Sequence, residues 1–125
     1  MEKNQDAMSM RVIDIYGEPS LTDGNFTASV VLEHDQMKVR RIELASGAWI
    51  PPCQMQEDVV FVVVNGRVTV CSEGEEVLVT APGVVFIPGG ATTRSMEAQE
   101  ASLVLAVLCR CCVGGRDDGG EVKAT

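Results

Sequence analysis

The stretch Gly47-Ala-Trp-Ile-Pro-Pro-Cys-Gln-Met-Gln-Glu-Asp-Val-Val-Phe-Val-Val-Val-Asn-Gly66 decides how this chain folds. Within it, Val59-Val-Phe-Val-Val-Val64 is apolar on both faces of any strand it forms, so it must be covered on both sides. Asn65-Gly66 follows at once, and this pair is a strong short hairpin signal because a type I′ turn needs φ > 0 at both central residues. The stretch therefore reads as an interior strand, a tight turn and a partner strand at Arg67–Ser72, where Val68 and Val70 oppose Arg67, Thr69 and Cys71. Upstream, Pro51-Pro52 excludes a helix and forces an extended path into Cys53-Gln54-Met55.

Working outward, Arg11–Tyr16 is a strand candidate, Leu21–Ala28 a loop with turn chemistry at Asp23-Gly24-Asn25, and Ser29–Glu33 a strand that turns at His34-Asp35-Gln36. Met37–Ala45 is mixed on both faces, as in a strand that runs from solvent into a core. After Arg67–Ser72, Glu73-Gly74-Glu75 turns the chain into Glu76–Thr80. Ala81-Pro82-Gly83 and Pro88-Gly89-Gly90 bracket the apolar Val84–Ile87, Thr92–Gln99 is short and polar, and Ala101–Arg110 is again apolar on both faces. Gly and Pro punctuation at this density, with no helical period, predicts an all-β sandwich or small barrel. Three strands apolar on both faces exceed what one small sandwich covers, so a homodimer that buries one outer sheet is expected.

The chain has 125 residues, which suits one domain, here expected at 11–112 between a flexible arm (1–10) and a Gly-rich, disordered tail (113–125). Its net charge of −8 opposes phosphate backbones and anionic lipid, so nucleic acid and membrane are excluded as partners. The segment Met1-Glu-Lys-Asn-Gln-Asp6 lacks the apolar core of a signal peptide, and the 5 cysteines form no paired framework; both point to the reducing cytoplasm and to free thiols.

The order of these elements resembles the cupins, jelly-roll barrels (double-stranded β-helices) whose pocket is built from two motifs. The first family motif is Gly, five residues, His-x-His, three or four residues, Glu, six residues, Gly. Gly47, Cys53-Gln54-Met55, Val59 and Gly66 keep that spacing, and all three ligand positions are changed. The second motif falls on Pro82, Pro88-Gly89-Gly90, Thr93 and Glu97, with its first Gly displaced to Gly83 and its His replaced by Thr93. The resemblance spans roughly residues 29–110 and implies the cupin barrel without the cupin metal. A first-row divalent ion needs imidazole or carboxylate donors at about 2.0–2.2 Å, and Val59 offers no lone pair. No cofactor is expected.

The pocket candidates are then Trp49, Cys53, Met55, Val59, Phe61, Thr93 and Arg94. Cys53 and Met55 line the pocket, or form a soft pair for Cu or Zn, or supply a reactive thiol beside Arg94 or Arg40. Arg94 is the natural anchor for a small anionic organic ligand, or else a surface arginine. Trp49 lines the pocket or closes a dimer interface. Glu57 and Asp58 are adjacent and point to opposite faces of an extended segment, so they do not form a paired acid and base. His34 is expected as an exposed turn residue. Cys109-Arg-Cys-Cys112 looks like half a zinc site, but a strand splits its thiols between two faces. Two functions follow: a metal-free binding or structural module, or an isomerase or lyase in a metal-free pocket with Cys53 or Glu57 as its working group. The second lacks a plausible general base.

Overall fold

The computed structural model describes residues 10–16, 21–90 and 92–110. The expected arm (1–10), apart from the exposed Met10, and the expected tail (113–125), with Cys111 and Cys112, lie outside the described residues. Nine strands run in chain order: β1 (Phe26–His34), β2 (Met37–Leu44), β3 (Trp49–Met55), β4 (Asp58–Asn65), β5 (Arg67–Ser72), β6 (Glu75–Thr80), β7 (Gly83–Ile87), β8 (Thr92–Ala98) and β9 (Ser102–Cys109). They form two antiparallel sheets, β1-β2-β9-β4-β7 and β3-β8-β5-β6, the jelly-roll arrangement expected from the sequence.

Strand alternation explains the core. Val59 and Val63 of β4, Val104, Ala106 and Leu108 of β9, and Ile42 and Leu44 of β2 face inward from the larger sheet. Val68 and Val70 of β5 with Met96 and Ala98 of β8 face them from the smaller one. β3 carries Pro51-Pro52 and lies at a sheet edge, where two residues without an N–H can sit; its register with β8 shifts between Ile50 and Cys53. β2 passes from solvent into the core as its mixed pattern predicts, with Ile42 and Leu44 buried and Lys38 and Arg40 at the open end.

Three expectations are corrected. Asn65-Gly66 is not a hairpin turn: β4 and β5 belong to different sheets, and only Gly66 takes positive φ (90°). Gly66 is instead a corner packed hard on β9, where an added Cβ would stand 2.2 Å from Ser102 Oγ and 2.5 Å from the Ala101 carbonyl oxygen. Ser102 Oγ completes the corner by accepting the Arg67 N–H at 3.1 Å. The tight two-residue turn with both residues at positive φ lies at Glu73-Gly74 (49° and 84°), between β5 and β6. Arg11–Tyr16, a strand candidate by composition, joins neither sheet; it crosses the larger sheet, where the Arg41 Nε–H donates to the Ile15 carbonyl. β1 also starts three residues earlier than expected, at Phe26, because β2 is long enough to pair with all of it.

Gly66→Ala combines a strained φ with a backbone clash. It is expected to lower stability by about 2–4 kcal/mol, read as a reduced urea midpoint, whereas Gly74→Ala, with open space around it, should lose about 1 kcal/mol.

Candidate functional site

Between the sheets, at the end where β2 turns polar, lies a cavity of ≈ 140 Å³. β3 contributes Cys53 and Met55, β4 Val59 and Phe61, β8 Arg94 and Met96, and β2 Arg40. Five of the seven residues singled out from sequence therefore meet here. The other two stand outside: Trp49 is 55% exposed at the start of β3, and Thr93 does not line the cavity. Along β8 the inward positions are Arg94, Met96 and Ala98, all buried, while the Thr93 N–H donates outward to Glu73 Oε2 at 2.7 Å. The motif alignment is thus one residue out of phase with the pleat, and the inward side chain is an arginine.

Arg94 is the residue on which the site is built. It keeps only 5% exposure. Its Nη2 donates to the carbonyls of Glu57 and of Pro88 (3.4 Å), and its Nε donates to Thr92 Oγ1 at 3.3 Å. Thr92 Oγ1 in turn donates to the Pro88 carbonyl at 2.8 Å. One guanidinium thereby ties the Gln56–Asp58 bend to the Pro88-Gly89-Gly90 turn. Asp58 braces the same join by accepting the Gly89 N–H at 2.7 Å, and the Gly90 N–H donates to the Gln56 carbonyl at 3.1 Å. Gly89 is required there, since a Cβ would stand 2.0 Å from that carbonyl oxygen. Among the described residues Nη1 of Arg94 has no acceptor, and the side chain lines the cavity.

Burial pushes the Arg94 pKa down, against the fields of Glu57, Asp58 and Cys53, which raise it. A guanidinium remains charged at neutral pH regardless. Arg40 brings a second cation to the lining, while the Glu57 and Asp58 carboxylates act on Arg94 without lining the cavity themselves. Arg40, Met55 and Leu108 also line an adjoining hollow of ≈ 120 Å³ with Glu33, Asp35, Lys38, Glu57 and Arg110. There the Glu57 carboxylate faces Arg110 at 3.6 Å rather than the cavity.

The donor set does not fit the metal that this fold commonly holds. Val59, at 1% exposure, is core without a lone pair; Cys53 and Met55 are soft, with Sγ and Sδ 4.0 Å apart; Thr93 points away. Among the described residues no three His, Cys, Asp or Glu side chains converge. His34 is exposed at the end of β1, 3.6 Å from Asp35, and Cys109 is exposed at the end of β9. No helix among the described residues is long and apolar enough to cross a membrane.

Searches of known structures agree with this architecture. An RmlC-like cupin from Desulfovibrio desulfuricans superposes with a TM-score of 0.72 at 17% identity, over 82% of this chain and 98% of its own. A cupin superfamily protein from Desulfitobacterium hafniense matches with a TM-score of 0.68 at 7% identity, over 81% and 100%. KdgF from a Halomonas species matches with a TM-score of 0.66 at 22% identity, over 83% and 96%. No family model matches the sequence, and no curated protein matches it. At these identities the likeness is one of fold: the chain has the cupin fold.

Arg94→Met removes a donor to two carbonyls and leaves them inside the join. It is expected to lower stability by about 1–3 kcal/mol in urea unfolding, and Arg94→Lys should recover little, because an ammonium cannot span both acceptors.

Proposed function

We propose that this chain is a metal-free, cupin-fold binding module that holds a small organic anion in the cavity between its sheets, without catalysing a reaction. The observation that supports this is the nearly buried Arg94, whose Nη1 has no acceptor among the described residues and whose side chain lines, with Arg40, a cavity that has no carboxylate in its wall. An anion there would accept charge-assisted hydrogen bonds in a site largely withdrawn from water. The cavity's ≈ 140 Å³ limits the guest to a few non-hydrogen atoms, well below a drug-sized ligand. In this reading the working unit is a homodimer in the cytoplasm.

The enzymatic alternative has Cys53 or Glu57 as working group. Glu57 turns toward Arg110, so Cys53 would act without a base in the cavity. A soft-metal site on Cys53 and Met55 is favoured by the 4.0 Å approach of their sulfurs and opposed by the two guanidinium groups that share the cavity.

Two measurements test the proposal. Acetate, propionate and inorganic phosphate are titrated calorimetrically into the wild type and into Arg40→Gln, a substitution at a half-buried position outside the turn-to-turn join. At least one probe is expected to bind, with affinity reduced about 10-fold or more in the variant. Elemental analysis after purification without a metal column is expected to find manganese, iron, nickel, copper and zinc each far below one per chain. Absence of binding by all three probes, or stoichiometric copper or zinc that is lost in Cys53→Ala, would overturn it.

A further inference from the structure

Each free cysteine among the described residues stands opposite a charged side chain on a neighbouring strand, and the sign of that charge differs. Cys109 of β9 is paired in register with Asp58, and Cys71 of β5 with Glu76; on their other sides stand the uncharged Met37 and Ser95. Cys53 of β3 is paired with Arg94 of β8. Residues directly opposite in an antiparallel pair share a face, with Cβ atoms about 4.5–5.5 Å apart. Cys53 and Arg94 accordingly line one cavity, together with Arg40. The pair is graded in depth: Cys53 is exposed on an edge strand, whereas Arg94 keeps 5% exposure and its Nη1 has no acceptor among the described residues. The thiol's own contact is weak, since its Sγ lies 4.0 Å from Met55 Sδ, a poor acceptor. A nucleophile that solvent can reach therefore stands in front of a buried cation with an unused donor.

We propose that Cys53 is a covalent capture site for small carboxylates that carry a carbon electrophile, the carboxylate held by Arg94 and Arg40 while the sulfur attacks. The inference deepens the anion-binding reading and rests on it. Charge-assisted hydrogen bonds from the guanidinium groups hold the carboxylate, and the carbon next to it then lies beside the sulfur at high effective concentration. Glu57 and Asp58 act on Arg94 from outside the lining and temper this attraction without reversing it. The step balances with no oxidant or cofactor. With a 2-halocarboxylate, the thiolate, its proton lost to water, attacks the carbon that bears the halogen; the C–S bond forms, the carbon–halogen bond breaks and halide leaves with the electron pair. With an α,β-unsaturated carboxylate, the sulfur adds at the β-carbon and water returns a proton to the α-carbon. Either product is a thioether, so the chain is consumed rather than turned over and no general base is asked of the cavity. The volume of ≈ 140 Å³ keeps the class to a few non-hydrogen atoms. At Cys71 and Cys109 the carboxylate opposite repels the same reagents.

Iodoacetate and iodoacetamide are alike in size and leaving group and differ in charge. Both consume the same thiolate, so their rate ratio at one cysteine reports the reagent's charge alone. The full chain is treated with each at mildly alkaline pH, and trypsin then places Cys53, Cys71 and Cys109 on separate peptides for mass spectrometry. The iodoacetate-to-iodoacetamide ratio at Cys53 is expected to exceed that at Cys71 and Cys109 about 10-fold or more. Arg40→Gln should lower the ratio at Cys53 about 3-fold and leave that at Cys71 unchanged. The comparison among the wild-type thiols needs no substitution, so it decides the matter even if that variant fails to fold. Calorimetric anion titration of Cys53→Ser should match the wild type, which separates the anion site from the thiol. Equal ratios at the three cysteines, or a ratio at Cys53 indifferent to a folded Arg40→Gln, overturn the inference; anion binding that persists alongside either result leaves the anion site standing, and its absence removes both.

Discussion

A strand with an unbroken apolar run, Val59 to Val64, cannot lie at the surface of one sheet, and the molecule is arranged around that constraint. β4 sits between β9 and β7, so its backbone is paired on both edges; Val59 and Val63 are shut into the core at 1% and 0% exposure. Its neighbours inherit the demand. β9 is also apolar on both faces, and β7, at the edge, has its outward side chains bare. Burial at roughly 25 cal/mol per Å² makes the inner face the main source of stability, and the same coefficient makes the bare outer face a liability unless it too is covered.

The second organising element is polar. Beyond the buried pair Val59 and Ile87, Arg94, Asp58 and Thr92 hold the Gln56–Asp58 bend against the Pro88-Gly89-Gly90 turn with hydrogen bonds. A planar, always charged fork suits this join, because two carbonyls and a hydroxyl can be met by one side chain that still has N–H groups left. One group thus meets three acceptors at the join and keeps Nη1 without an acceptor among the described residues.

Much of the fold was legible in the sequence because strand alternation and Gly/Pro punctuation are local signals. Apolar runs in β4, β7 and β9, the turns at Asp35 and Glu73-Gly74, and the motif spacing from Gly47 to Gly66 all carried through to the structure. The misread places are those where a local signal has a non-local cause. Asn65-Gly66 has hairpin chemistry, but its glycine answers to Ser102, 36 positions away in the chain, and so turns a corner between sheets. Arg11–Tyr16 alternates like a strand, yet what it meets is the side chain of Arg41 rather than a free sheet edge. In the site, the spacing placed Cys53, Met55 and Val59 together. It could not settle the phase of β8, where one residue decides whether Thr93 or Arg94 points inward. The bracing role of Asp58 left only a faint trace, an acidic residue beside an apolar run, since its partner is a backbone N–H 31 positions away.

An acidic chain with a cationic cavity poses an electrostatic question that distance resolves. Eight net negative charges repel an approaching anion at long range, but at physiological ionic strength their fields decay over about 8 Å. Inside the cavity the two guanidinium groups act at contact distance and in a lower dielectric, where screening by salt is weak. The acidic surface then acts on what approaches from a distance, and Arg94, Arg40 and the carboxylates beside them act on what is already at the cavity. Around the adjoining hollow Lys38, Arg40 and Arg110 stand with Glu33, Asp35 and Glu57, so the charge there is mixed and not uniformly repulsive to an anion. The overall charge weighs most on a polyanion such as nucleic acid, whose many phosphates face the whole surface at once, and least on a small anion that meets only the cavity wall.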